Sequence, residues 1–237
     1  MPTFTHGKSA KVFANGYDLS AYFSAASTSG SGETAEVTTF GNNSKAYIAG
    51  LKDATFSVEG YYDATSGAND EVLAGVLGTE TVWTLVFSAD AIGARGYGAN
   101  AIGTSVETGA EIGGAVSVTA EAQSVTGPDP IVVLHALGAE VAGGNAAQVD
   151  NGAATTTGLA AYLHVTAIGG TPTLTAKVQH SSDGSTWADL ATFTAVTAAN
   201  SAQRVEAAGT VNRYLRALWT ISGGSPSVTF HMSAARL

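Results

Sequence analysis

Two segments of this 237-residue chain alternate with the period of a β-strand, and nothing else in the sequence restricts the fold as tightly. From Ala54 to Tyr62, Phe56, Val58, Gly60 and Tyr62 share one side, while Thr55, Ser57, Glu59 and Tyr61 share the other. From Ala115 to Val125, Val116, Val118, Ala120 and Ala122 oppose Ser117, Thr119, Glu121 and Gln123. Successive strand side chains point to opposite faces, so both segments describe a sheet that is apolar on one face and wet on the other. The 29 glycines, with many Thr, Ser and Val residues, suit strands and turns better than helices. The absence of cysteine removes disulfides, thiol chemistry and cysteine-ligated metals together. No run approaches the roughly 18 to 20 consecutive apolar residues of a membrane span. The opening Met1–Lys8 lacks the apolar stretch of a secretory signal.

Net charge is −9 and unevenly placed. Residues 1–126 hold five cations against thirteen acids, a balance of −8, whereas the remainder holds five against six, a balance of −1. Affinity for nucleic acid comes from neutralising phosphates with Lys and Arg, so this chain should not grip DNA. A surface that DNA passes without sticking needs the polarity seen here. The charge shift falls at Thr126-Gly127-Pro128-Asp129-Pro130, where two prolines discourage a central strand. The expected division is therefore a domain over 1–126, a linker over 127–130 and a second domain over 131–237.

Within the first part, Lys11–Leu19 reads as a hairpin turning at Asn15-Gly16. Ser27–Gly32 reads as a flexible loop, and Val82–Ser88 as a further strand. Asn69–Leu77 is the one expected helix, with Asn69 as its cap, Asp70 and Glu71 at its positive end, and Gly78 ending it. Gly93–Gly114 is consistent with glycine-broken strands or with a mobile loop. The second part offers seven short strands: 131–136, 159–167, 174–180, 188–194, 203–207, 214–221 and 228–234. The turns between them include Gly169-Gly170 and Gly223-Gly224. That count suits an immunoglobulin-like or jelly-roll sandwich, with Trp187 and Trp219 as its bulkiest core candidates. The predicted fold class is mainly β.

Chemistry is not advertised. The histidines at 6, 135, 164, 180 and 231 show no metal-ligand spacing, and no Gly-x-Ser-x-Gly elbow occurs. Gly96-Tyr97-Gly98 echoes a nucleotide-binding pattern, but no helical pattern follows it. Catalytic residues, cofactors and metals are therefore not expected. Trp187, after the Asp183-Gly184 turn, has two readings: a core plug, or an exposed ring able to stack on a sugar.

The ordered stretches Asn15-Gly16-Tyr17-Asp18-Leu19-Ser20-Ala21-Tyr22, Thr38–Lys45, Tyr47–Asp53 and Phe56-Ser57-Val58-Glu59-Gly60-Tyr61-Tyr62-Asp63 carry a resemblance. Residues 11–63 resemble the tail tube proteins of long, flexible-tailed bacteriophages, and the second part resembles immunoglobulin-like domains appended to phage structural proteins. The resemblance implies a β-sandwich with one flanking helix that lends strands to a barrel shared by six subunits, the rings stacking into a hollow tube. It implies that Ser57, Glu59, Thr119 and Glu121 line the lumen, with Phe56, Val58, Val116 and Val118 on the core side. A segment within 24–50 would reach the neighbouring ring, and residues 131–237 would project outside. The implied partners are copies of the chain, other tail proteins at the tube ends, DNA in transit, and host-surface glycans if Trp187 is exposed. The implied location is the virion tail, assembled in the host cytoplasm. The competing reading is a two-domain adhesin whose second part binds carbohydrate.

Overall fold

The computed structural model describes residues 6–237; residues 1–5, which open the stretch read for a secretory signal, lie outside them. Asn15 and Gly16 take positive φ angles of 48° and 84°, closing β1 (Lys11–Ala14) onto β2 (Tyr17–Asp18) as the Asn-Gly pair demands. The first part continues through β3 (Phe23–Glu36), β4 (Tyr47–Tyr61), α1 (Asn69–Val76), β5 (Glu80–Val86), β6 (Arg95–Gly109) and β7 (Ser117–Ser124). Its strands run in the order β2-β1-β5-β6-β7-β4-β3, all antiparallel. Arg95–Gly109 is thus one long strand, with an irregularity between Gly103 and Ser105. Its first half pairs with β5 and its second with β7, so the sheet folds over at this point. Phe56 and Val58 of β4 and Val118 and Ala120 of β7 meet Trp83 and Leu85 of β5, with Val72, Leu73 and Val76 of α1 completing the core.

Four local expectations change. Ser27–Gly32 lies inside β3, because each residue from Ser27 to Gly32 finds a partner on β4. Asn69 does not cap α1: Ala68 is the cap residue. The buried Asn69 side chain instead donates to Tyr61 O at 2.7 Å and accepts from Asp63 N–H at 3.0 Å. Val116 precedes β7 and is 37% exposed, so it does not join the core side. Asp129 and Pro130, expected as linker, open β8 (Asp129–Glu140). Pro130 stands opposite Tyr97 of β6 and is tolerated there because pairing on its other side, with residues 228–235, begins only at Ile131.

The second part adds β9 (Gly144–Asn145), β10 (Val149–Asp150), β11 (Leu159–Ser181), β12 (Ala188–Thr192), β13 (Ser201–Ala207) and β14 (Tyr214–Arg236). Four of the expected short strands are two long ones. β11 and β14 form an antiparallel ribbon from Leu159↔Arg236 to Ser181↔Tyr214, and the glycines read as turns are the places where it bends. Gly170 and Gly223 take φ of 78° and 111°. A Cβ on either would run into backbone oxygen of the facing strand, Ser225 O and Thr171 O respectively. The bent ribbon packs Leu174, Ala176, Val178 and Trp219 over Leu163, Phe230 and Met232, building a second core.

β8 joins the two parts by pairing with β6 on one side and β14 on the other. A third cluster fills the junction: Val82, Val86, Ile131, Val133, Ala160, Tyr162 and Ala235. Gly98 is bare because the Tyr162 ring occupies the place of its Cβ, 2.9 Å away, so the Gly96-Tyr97-Gly98 motif serves packing. Gly223→Ala is expected to cost about 1–3 kcal/mol, since it meets both a strained φ and a backbone clash. Gly75→Ala in the exposed part of α1, where nothing obstructs a Cβ, should gain about 0.5–1 kcal/mol. Urea melts of both variants check this contrast.

Candidate functional site

The register of four strands builds one continuous solvated face. β4 sets Ser57 opposite Glu121 and Glu59 opposite Thr119. β3 adds Ser27 opposite Ser57 and Ala25 opposite Glu59, while β6 adds Ser105 opposite Glu121 and Glu107 opposite Thr119. Two rows therefore cross the sheet: Ala25–Glu59–Thr119–Glu107 and Ser27–Ser57–Glu121–Ser105. Directly opposite residues share a face, so the four residues expected to act together do lie together, with Phe56, Val58 and Val118 buried behind them. Each glutamate faces hydroxyl or small side chains and never another acid, which keeps like charges off directly opposed positions. Among the described residues, Glu59, Glu107 and Glu121 have no ion-pair partner.

Both margins of this face are open. Among the described residues, β3 pairs only with β4, and β6 beyond Gly103 pairs only with β7. One flank of β3 and the outer flank of Thr104–Gly109 therefore present backbone N–H and C=O groups without strand partners. Beyond Ala54 the β3–β4 pair leaves the body as a two-stranded arm ending in residues 37–46. This arm stands where the sequence suggests a long reaching segment. Phe40 at its tip is fully exposed, and Ile48 and Leu51 also face solvent.

Three neighbours join the predicted set, Ser27, Ser105 and Glu107, of which the sequence marks only Glu107, as one of the acids concentrated in residues 1–126. Ser105 and Glu107 sat in a stretch left open between strand and loop, although Ser105-Val106-Glu107-Thr108 alternates. Ser27 sat in a stretch whose small residues read as loop.

Trp187 lies apart, in the second part of the chain, and is half-buried with the Arg216 guanidinium 4.2 Å above its ring. It does not plug the core; Trp219 does, donating from Nε1 to Ala142 O at 3.0 Å. Arg216 in turn holds Gln179 at 2.8 Å, Gln179 holds Asp189 at 2.8 Å, and Lys177 pairs with Asp189 at 2.6 Å. The turn before Trp187 is fixed by the Asp183 carboxylate, which accepts from the Thr186 and Ser185 N–H groups at 2.8 Å each. These hydrogen bonds hold the Asp183 carboxyl well below the usual carboxylate range.

No protein-family model matches the sequence, and no curated protein matches it. Among solved structures, it is similar to a chain of the virion of a native gene transfer agent particle, with TM-score 0.44 and 18% identity over 54% of this chain and 98% of that one. A chain from the tail of an empty gene transfer agent particle, refined helically with C6 symmetry, gives 0.45 and 16% over the same shares. The Dit protein (gp 19.1) of SPP1, described as a hub of the adsorption apparatus in phages infecting Gram-positive hosts, gives 0.36 and 16% over 95% of this chain and 98% of that one. These are likenesses of shape at low identity.

If the solvated face plays no part in folding the single chain, Glu59→Gln, Glu107→Gln and Glu121→Gln should each change stability by less than about 0.5 kcal/mol. Phe56→Ala, directly behind them, should cost about 3–5 kcal/mol. Denaturant melts of the four variants separate the two faces.

Proposed function

We propose that this chain is a structural virion protein, a phage tail tube subunit whose copies join edge to edge into rings that stack into a hollow tube. The observation that carries the reading is the four-stranded solvated face with an open edge at each margin. Pairing β3 of one copy with the outer run of β6 of the next satisfies both rows of backbone groups and repeats around an axis. Six copies would close a barrel of about 24 strands, wide enough for an aqueous channel. Ser57, Glu59, Thr119 and Glu121 then line the lumen, joined by Glu107 and Ser105, and the excess of carboxylate keeps passing DNA from sticking.

The arm ending at Phe40 reaches towards the next ring, burying the apolar side chains it now exposes. Residues 131–237 decorate the exterior as an immunoglobulin-like module, held through β8. The partners are further copies, other tail proteins at the tube ends, and DNA in transit without specific binding. The protein acts in the virion tail after assembly in the bacterial host cytoplasm, and no chemical step is involved. A second reading, a two-domain adhesin that binds host-surface carbohydrate, draws on Trp187 and its polar neighbours. There the ring has one face covered by Arg216, and the polar groups already satisfy one another.

Negative-stain microscopy of concentrated protein is expected to show rings or tubes with a central hole. A strict monomer at every concentration contradicts the tube and favours the adhesin. Glu59→Lys with Glu121→Lys should still allow tubes but slow DNA ejection from particles; unchanged ejection contradicts the role given to the carboxylates.

A further inference from the structure

Two histidines bridge the parts of the chain where the second core docks on the first. His164 of β11 and His231 of β14 are direct strand partners and are both fully buried. Phe13 of β1 stacks on both, with centroids 5.4 Å from His164 and 4.5 Å from His231. His164 Nδ1 accepts from Gly16 N–H at 3.4 Å, which fixes the neutral ring as the tautomer carrying its proton on Nε2. Nε2–H then donates to Thr84 Oγ1 at 2.9 Å. Every one of these partners belongs to the N-terminal sheet.

The surroundings treat a positive charge on the two rings differently. His231 Nδ1 lies 3.2 Å from Asp90 Oδ1, so a carboxylate stands ready for it. Among the described residues no carboxylate touches His164; the other titratable group facing it is His231 itself, 6.5 Å between centroids. Protonation at His164 Nδ1 would set N–H against the Gly16 N–H, converting an acceptor into a second donor in a fully buried site. Around this pair, Lys11 on β1 acts on Asp90, while His135 on β8 lies beside Phe230 and is bonded to Glu140 at 3.2 Å. Burial, then the nearby His231, hold the His164 pKa well below its ordinary value.

We propose that this junction is a proton-sensitive joint: charging His164 loosens the docking of β11 and β14 on β1 and β5, with β8 as the pivot and each part keeping its own core. Each part has its own buried cluster, and β8 stays paired with β6, so the joint can open without unfolding either. The sign follows from the burial. The unfolded or undocked ring binds a proton more readily than the docked one, so docking is complete above the ordinary histidine range and weakens as pH falls through and below it.

The chain lacks cysteine, so Thr65→Cys and Ser182→Cys, both at exposed positions, give two unique dye sites, one on each part. Energy transfer in the full chain should change between about pH 6.5 and pH 4.5 while far-ultraviolet circular dichroism holds steady. His164→Asn or His164→Gln should move that midpoint down by about one pH unit or more. Constant transfer down to about pH 4.5, or a change that coincides with loss of the far-ultraviolet signal, overturns the proposal. An unchanged midpoint in a folded His164 variant overturns it equally. Should neither variant fold, the titration of the otherwise unaltered chain still decides.

Discussion

A strand edge without a partner is the constraint on which the rest of this molecule depends. Soluble proteins usually blunt such edges with lysine, proline, bulges or a covering loop. From Phe23 to Gly32, β3 contains neither charge nor proline, and Thr104–Gly109 of β6 carries a single charge, Glu107. Between these two edges lies a face whose side chains are all small, hydroxylic or acidic along both crossing rows. A face already matched to water needs no cover, so the demand for a partner falls on the backbone at its margins. In the proposed assembly, edge pairing between copies would meet that demand and leave the acidic side in contact with solvent.

The second part of the chain is fixed to this sheet and does not hang from a tether. β8 is a strand of both parts, and the Tyr162 ring lies on the bare backbone of Gly98. The Tyr162 hydroxyl donates to the Asp129 carboxylate, both residues being buried, and Asp129 also pairs with the half-buried Arg204 at 2.8 Å. Burial, then the charge of Asp129, push the Tyr162 phenol up, so it stays a neutral donor. A buried ion pair of this kind contributes little net stability after desolvation. The Asn15-Gly16 turn is wedged against Asn200 and Ser201, so even the first hairpin of the chain takes part in the junction.

Local pattern made some of this legible and long-range pairing hid the rest. The Asn15-Gly16 hairpin, the α1 stripe of Val72, Leu73 and Val76, and the shared face of Ser57, Glu59, Thr119 and Glu121 all follow from period and turn chemistry. The β3 strand was hidden because Ser, Thr and Gly in succession read as loop unless the partner strand is known. Gly169-Gly170 and Gly223-Gly224 read as turns because glycine signals a special backbone angle without saying whether the chain reverses or bends. Asp129-Pro130 read as linker for a related reason: Pro forbids only the hydrogen bond it would donate, and at the start of β8 none is asked for. Trp187 was drawn towards the core by its size, whereas Arg216, distant in sequence, holds it at the surface.

Backbone hydrogen exchange, compared between the dispersed chain and its assembled form, tests the edge-pairing claim most directly. Amides along Phe23–Gly32 and Thr104–Gly109 should exchange quickly in the dispersed chain and become strongly protected in the assembly, with core amides of β5 unchanged. Equal exchange at both edges in the two forms would contradict closure through these strands.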